Sequence, residues 1–520
     1  MSKKVIYSYI QNDESRLIVD KLYDEYGWEP VFFHGQEEMR EWTGEHYANA
    51  VLHDAAAMRK SKFDYSRIGF PVPIDCEIIE ALSKYELNYL NWLQIQDITG
   101  FNFSFSQRRR YYYDVLKYWN TVINNLKPDL FVAYTWPHLP SDYPLYLLCK
   151  HYYNIPVLFL DPIPYLDNII YSVGTSLENL SAPFEAIYLS EEELKISDVV
   201  RRYLERQRSL QPQTPKHITT YYRVFDKSYK RRYLNLLGLC AKVIKGTAFK
   251  DSGAILKNDY KPWDLEFSPL SNFKYYFFKN NLIRRNIALR KTYNQHVISP
   301  DLEKKYIYFP APYQPEVLSN HCAGVYEDVF LVLDMISHII PDDWVIYYKE
   351  HPNTFTEDDL AGLMKDKYYY ERLSSYKKVK MVPSNTSTFQ LIDNSQAVCT
   401  VGGTAGWEAV LRGKPALVYG SLWYQSCKSV FTIKTSKDAI AAIKKIMDGF
   451  VPDAKDVERY AESIYRASYH RLVQRQDLNH KDLSPLGDPR NTCDLRYEMG
   501  RVAEAFFRTY DSQYGGKNKN

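Results

Sequence analysis

The chain has 520 residues, 45% of them hydrophobic and 25% charged, a length that suits about two to four globular domains. Its 66 basic and 63 acidic side chains leave a net charge of +3, too even a balance for general nucleic-acid binding. No apolar run approaches the roughly 18 residues of a membrane span, and the start, MSKKVIYSYI, has no signal-peptide core.

The seven cysteines are scattered and form no CxxC pair, which fits free thiols in a reducing compartment. The expected location is therefore the cytoplasm, with a peripheral contact on the inner membrane face. The 47 tyrosines suit half-wet surfaces and sugar faces, or reflect compositional bias.

In chain order, KKVIYSYI (3–10) reads as a strand. DESRLIVDKLYDEYG (13–27) has helical spacing with Gly27 as its C-cap. EPVFFH (29–34) is a second strand, helical patterns cover 76–96 and 106–126, and DLFVAYT (129–135) and IPVLFLD (155–161) are further strands. This alternation predicts a parallel sheet covered by helices. Residues 190–300 break the rhythm; they are helical in pattern and rich in Lys, Arg and Tyr, which suits either a solvated insertion or a face for anionic lipid or glycan.

Alternation resumes with strands at 305–311, 344–350, 378–383, 397–402 and 415–420, and helices at 322–340, 388–394, 405–412 and 436–449. The expected architecture is α/β and GT-B-like: two Rossmann-like domains facing across a cleft, with a helical insertion. The boundaries are 1–189 for the acceptor domain, 190–300 for the insertion, 301–450 for the donor domain and 451–520 for C-terminal helices and a tail.

Open α/β sheets bind ligands beyond the carboxyl ends of their strands. Four strand ends in the second half carry suitable groups. In VGGTAGWEAVLRGKP, Gly402 and Gly403 permit a tight turn, and Thr404 is placed to cap a helix whose first N–H groups favour an anion. Glu408, one turn in, is placed to accept hydrogen bonds from a vicinal diol such as a ribose.

In KEHP, Lys349, Glu350 and His351 are expected to face the same crevice, where a lysine and a histidine can neutralise a departing phosphate. APYQPE adds Gln314 and Glu316, and VPSNTST adds Ser384, which serves either a nucleobase edge or a helix cap. On the acceptor side, YTWPHLPSD offers His138 and Asp142 as catalytic candidates. Asp161, Glu14 and His34 are further strand-end groups, and Arg108, Arg109 and Arg110 suit a donor carboxylate or a plain basic face.

The succession of QPE, KEHP and GGTAGWEAVLRGKP over roughly 300–425 resembles the bacterial capsular polysaccharide synthesis family. That family includes Kdo transferases and is similar to other CMP-nonulosonate transferases of GT-B architecture. The resemblance implies a glycosyltransferase that moves a nonulosonic-acid sugar from a CMP-activated donor to a capsular or other surface glycan, free or lipid-linked.

It also implies roles. His351 and Lys349 would contact the donor phosphate, Gly403 and Thr404 would add phosphate contacts, Glu408 would hold ribose hydroxyls, and Gln314 would sit near the sugar. No cofactor and no metal are expected beyond the CMP-sugar substrate, since no DxD pair stands at a strand end. A nucleotide-sugar epimerase, a CDP-glycerol-type transferase and a non-catalytic capsule-assembly scaffold remain open alternatives.

Overall fold

The computed structural model describes residues 2–59, 61–96, 103–166, 168–190, 193–209, 269–314, 316–355, 363–469 and 495–515. The expected basic stretch 227–246 lies outside the described residues, as do Cys240 and Cys493.

Two six-stranded sheets organise the chain. The first contains β1 (Lys3–Ser8), β2 (Trp28–Gly35), β3 (Val51–Asp54), β4 (Leu130–Ala133), β5 (Val157–Tyr165) and β6 (Asn168–Gly174), in the order β3-β2-β1-β4-β5-β6. All neighbours are parallel except β5 and β6, which pair antiparallel from Phe159–Gly174 to Tyr165–Asn168. The second contains β7 (Tyr306–Pro310), β8 (Val345–Lys349), β9 (Val379–Met381), β10 (Ala397–Thr400), β11 (Ala416–Val418) and β12 (Val430–Thr432). Its order, β12-β11-β10-β7-β8-β9, is parallel throughout.

Both are doubly wound sheets. The chain direction reverses between β1 and β4 in one and between β7 and β10 in the other, and such reversals open a crevice at the strand ends. Strands such as LFVA and AVCT are buried on both faces, as parallel strands covered by helices require.

Local signals set the element ends. Asn12 and Ser15 form a reciprocal cap at the start of helix Asp13–Tyr26, and Gly27 closes it at φ +66°. The C-terminal helix Leu495–Tyr510 does not stay with the second domain. It crosses back to the first, where Met499, Val502 and Phe506 pack with Val5, Tyr7, Ile18 and Leu22. In return, Phe184, Val200 and Tyr203 from the end of the first half share a core with Trp407, Trp423 and Tyr460.

The tyrosines serve the core more than the surface. Tyr89, Tyr165, Tyr306 and Tyr460 are wholly buried, and each donates its hydroxyl to a backbone carbonyl, those of Pro140, Ala461, Leu391 and Trp423. A buried ring with a bonded hydroxyl adds apolar area and pins a loop at once. Among the described residues no helix is long and apolar enough to cross a membrane. Cys76, Cys149, Cys322, Cys399 and Cys427 are free thiols.

Candidate active site

The second sheet delivers its candidate residues at the β7–β10 reversal. β8 ends at Lys349, β10 leads through Val401 into Gly402–Thr404, and β7 lies between them. With neighbouring strands about 4.8 Å apart, the two tips stand two spacings, roughly 10 Å, from each other.

Side chains alternate across a strand, and that alternation separates Lys349 from Glu350. Lys349 shares its face with Tyr308 and donates from Nζ to the Thr386 carbonyl at 3.0 Å and to the Thr388 hydroxyl. Burial lowers its pKa to about 8, against the opposing pull of the Glu408 carboxylate.

Glu350 turns the other way, into the domain core. Its carboxylate accepts from Tyr348 at 3.0 Å, Tyr370 at 2.7 Å, Thr354 at 3.1 Å and the His351 N–H at 3.0 Å, with the buried Lys365 ammonium 3.7 Å away. The expectation that Glu350 faces the donor crevice is therefore corrected: it anchors the KEHP turn from inside.

His351 sits half-buried at the strand end, its ring 5.2 Å from that of Tyr313. The Asn353 N–H donates to Nδ1 at 3.3 Å, which leaves the ring proton on Nε2. Burial depresses its pKa to about 4, so the ring is neutral at pH 7 and acts as a hydrogen-bond donor.

The glycine turn carries Gly403 at φ +88°, in a region that favours glycine. Thr404 occupies the N-cap position of helix Ala405–Leu411 without making the expected capping bond. Its hydroxyl donates instead to Glu408 at 2.8 Å. Burial raises the Glu408 pKa, while Thr404 and Lys349 favour its charged form. The helix start is also less open than the sequence implied. The Tyr424 hydroxyl donates to the Gly403 carbonyl at 2.8 Å and is held by the backbone of Gly406 and Trp407. A Cβ at Gly406 would stand 2.6 Å from that hydroxyl oxygen.

Gln314 is buried and donates from Nε2 to the Glu327 carbonyl at 2.7 Å. Glu316 is exposed, yet surrounding protein raises its carboxyl to about 7. Ser384 lies half-buried in the loop after β9, and the cap of the next helix is Ser387, which accepts from the Gln390 N–H at 3.2 Å.

In the first domain, Asp142 is wholly buried. Its oxygens accept from the Leu139 N–H at 2.8 Å and the Ser8 hydroxyl at 3.4 Å, and burial raises its pKa to about 8. It pins the loop after β4 and cannot touch a substrate, so its assignment as a catalytic residue is corrected.

His138 is half-buried, and its Nδ1 lies 2.6 Å from the Trp136 carbonyl, which fixes the ring proton there and leaves Nε2 as an acceptor. Asp161 accepts from the Trp136 indole at 2.7 Å, while its buried second oxygen has no hydrogen-bond partner. Burial lifts its carboxyl to about 8. Asp161 lies close to Cys322 of the second domain, so it faces the boundary between the domains.

Arg109 and Arg110 pair with Glu86 and Asp114, each at 2.8 Å, so local carboxylates already compensate them. Glu14 is buried in the first turn of its helix, and His34 lies in the core against His53 and Trp119. Among the described residues no cluster of three or more His, Cys, Asp or Glu side chains is placed to hold a metal ion.

Residues 269–427 match the family model described as "Capsule polysaccharide biosynthesis protein". The match covers under a third of the chain. The family segment holds β7 to β11 and every donor-side candidate above, while His138 and Asp161 lie outside it. No curated protein matches the chain.

Among solved structures, the chain is similar to the UDP-GlcNAc 2-epimerase of Methanocaldococcus jannaschii at 12% identity. That likeness covers 89% of this chain and 99% of the other, with a TM-score of 0.22. It is also similar to two structures of Thermosulfurimonas dismutans KpsC. The beta Kdo 2,4 transferase is 9% identical over 64% of this chain and 79% of the other, at a TM-score of 0.30. The beta Kdo 2,7 transferase is 17% identical over 35% and 52%, at a TM-score of 0.20.

Proposed function

We propose that the protein is a glycosyltransferase of capsule synthesis. It moves a nonulosonic-acid-type sugar from a CMP-activated donor to a capsular or other surface glycan. One observation supports the reading: β8 and β10 flank β7 at the sheet reversal, and their ends carry Lys349, His351 and the Thr404–Glu408 pair, with Lys349 close enough to Glu408 to feel its charge.

The chemistry follows from charge. As the bond from the anomeric carbon to the phosphate oxygen breaks, negative charge grows on the departing nucleotide. The neutral His351 ring supplies an Nε2–H donor, and the Lys349 ammonium supplies positive potential behind it. Glu408, whose carboxylate Thr404 and Lys349 favour against burial, accepts from ribose hydroxyls. On the acceptor side, the unprotonated Nε2 of His138 takes the proton from the attacking hydroxyl as the new glycosidic bond forms.

Thermal denaturation with CMP, CDP, UMP and UDP tests the reading. CMP at a hundred times its dissociation constant is expected to stabilise the fold by about 2.7 kcal/mol. A shift with uridine nucleotides alone would favour an epimerase-type activity. A shift with none of the four would favour a scaffold.

A further inference from the structure

The boundary between the domains holds a polar cluster that the transfer chemistry does not use. Glu327 lies on the turn Gly324–Glu327, just before helix Val329–Ile339 of the second domain. One of its carboxylate oxygens accepts from Asn88 at 2.9 Å and from Asn320 at 2.6 Å. The other accepts from Asn91.

Asn88 and Asn91 are three residues apart, on one face of helix Cys76–Gln96 in the first domain. Asn88 also donates to the Gly324 carbonyl at 2.9 Å and the Asn320 carbonyl at 3.3 Å. On the inner side, the Glu327 carbonyl accepts from Gln314. A carboxylate that receives three amide N–H groups from two domains is therefore one residue's length from the donor-side loop. Leu87 and Val325 beside it are both 65% exposed, while Val317 and Cys322 of the same loop lie buried in the first domain's core. The hydrogen bonds fix the orientation of a loop that also makes apolar contact.

The same loop is fastened a second time. The His321 ring stacks on Tyr143 at 4.0 Å, and its Nε2 donates to the His138 carbonyl at 3.1 Å. Residues 316–327 thus form a strap from the second domain, tied to the first at His321 and at Glu327, with Gln314 and Glu316 at its root.

We propose that Glu327, held by Asn88 and Asn91, is a positioning residue: it ties the strap to the first domain and thereby sets Gln314 in the donor crevice. The consequence for donor binding rests on the CMP-sugar reading above; the tie itself does not.

The test is a charge exchange in the full chain. In Asn91→Asp the amide donor gives way to a second carboxylate beside a carboxyl that burial already lifts to about 7, so the measurements are made at pH 9, where the pair repels. In Asn91→Asp/Glu327→Gln the carboxylate and the amide have changed places, so every bond of the cluster can form again.

Hydrogen exchange without ligand reads the tie. Amides of 316–323 are expected to exchange on the order of tenfold faster in the single variant, the size of one coupled hydrogen-bonded pair. They should return to the parent rate in the double variant, with helix Val329–Ile339 unchanged in both. Unaltered exchange in the single variant, or a double variant as fast as the single, would overturn the tie.

CMP affinity by titration calorimetry reads the positioning. About a tenfold loss in the single variant, recovered in the double, is expected. Exchange that responds while CMP affinity stays constant would overturn the positioning of Gln314. A parent protein that binds no CMP would overturn the donor reading, and the exchange data would still decide the tie.

Discussion

The Thr404 hydroxyl donates to the Glu408 carboxylate at 2.8 Å, one helical turn away, instead of capping its own helix. The bond orients the carboxylate, and burial raises its pKa while Thr404 and the Lys349 ammonium oppose that shift. Glu408→Gln is expected to preserve the fold and weaken CMP binding about tenfold, the cost of one hydrogen bond to a charged group. Thr404→Val should weaken it by less. Titration calorimetry checks both, and an unchanged affinity in Glu408→Gln would remove the ribose contact.

His351 acts as a neutral donor, and the sign of its pH dependence follows. Its folded pKa of about 4 lies below the ordinary 6.5, so the unfolded chain binds more protons between those values. Stability from this group is complete above about pH 6.5 and is lost as pH falls toward 4. In catalysis, kcat/KM should show no limb near 6.5 from His351. His351→Ala should lower turnover by 10²–10³, as loss of one preorganised donor does, with Tm at pH 8 within about 2 °C of the parent. A turnover within threefold of the parent would exclude the role.

The architecture was legible where strands and helices carry their own periodicity, and β3, β6 and β12, at the sheet edges, were not read. The glycine turn and the KEHP turn were legible as strand ends for the same reason. What stayed hidden depends on partners distant in sequence. Tyr424 covers the start of helix Ala405–Leu411 from a loop beyond β11. Helix Leu495–Tyr510 has an amphipathic face, but nothing local says that the face belongs to the first domain.

β5 runs on through Pro162 and Pro164 because it pairs antiparallel with β6, whereas a proline in a sequence argues for the end of a strand. Lys349 and Glu350 were grouped by adjacency although a period of two puts them on opposite faces. Residues 322–327 were read as the start of a helix, yet they belong to the strap and the helix begins at Val329.

Glu350 is an anchor, so its loss should read as stability. Removing the carboxylate leaves the buried Lys365 ammonium without its counter-charge and three hydroxyls without their acceptor. Glu350→Ala should therefore cost about 3–5 kcal/mol in denaturant unfolding, the usual penalty for breaking a buried pair from one side. Glu350→Gln should cost less, because it keeps one accepting oxygen. A change below 1 kcal/mol in the alanine variant would mean that the core does not depend on this cluster.

Asp142 separates an interior pin from a catalytic base. Its folded pKa of about 8 stands above the ordinary 3.8, so the folded chain holds a proton there that the unfolded chain has lost. Stability from this group is present at low pH and is lost as pH rises toward 8. Asp142→Asn has no charge to develop, and its side-chain oxygen can still accept from the Leu139 N–H. The variant should gain on the parent in urea unfolding between pH 5 and pH 9 by roughly 1–3 kcal/mol, the desolvation cost of an unmet buried polar group. Its transfer rate should stay within about threefold of the parent. A rate lowered a thousandfold with the fold intact would restore Asp142 to the chemistry and displace His138 from the acceptor side.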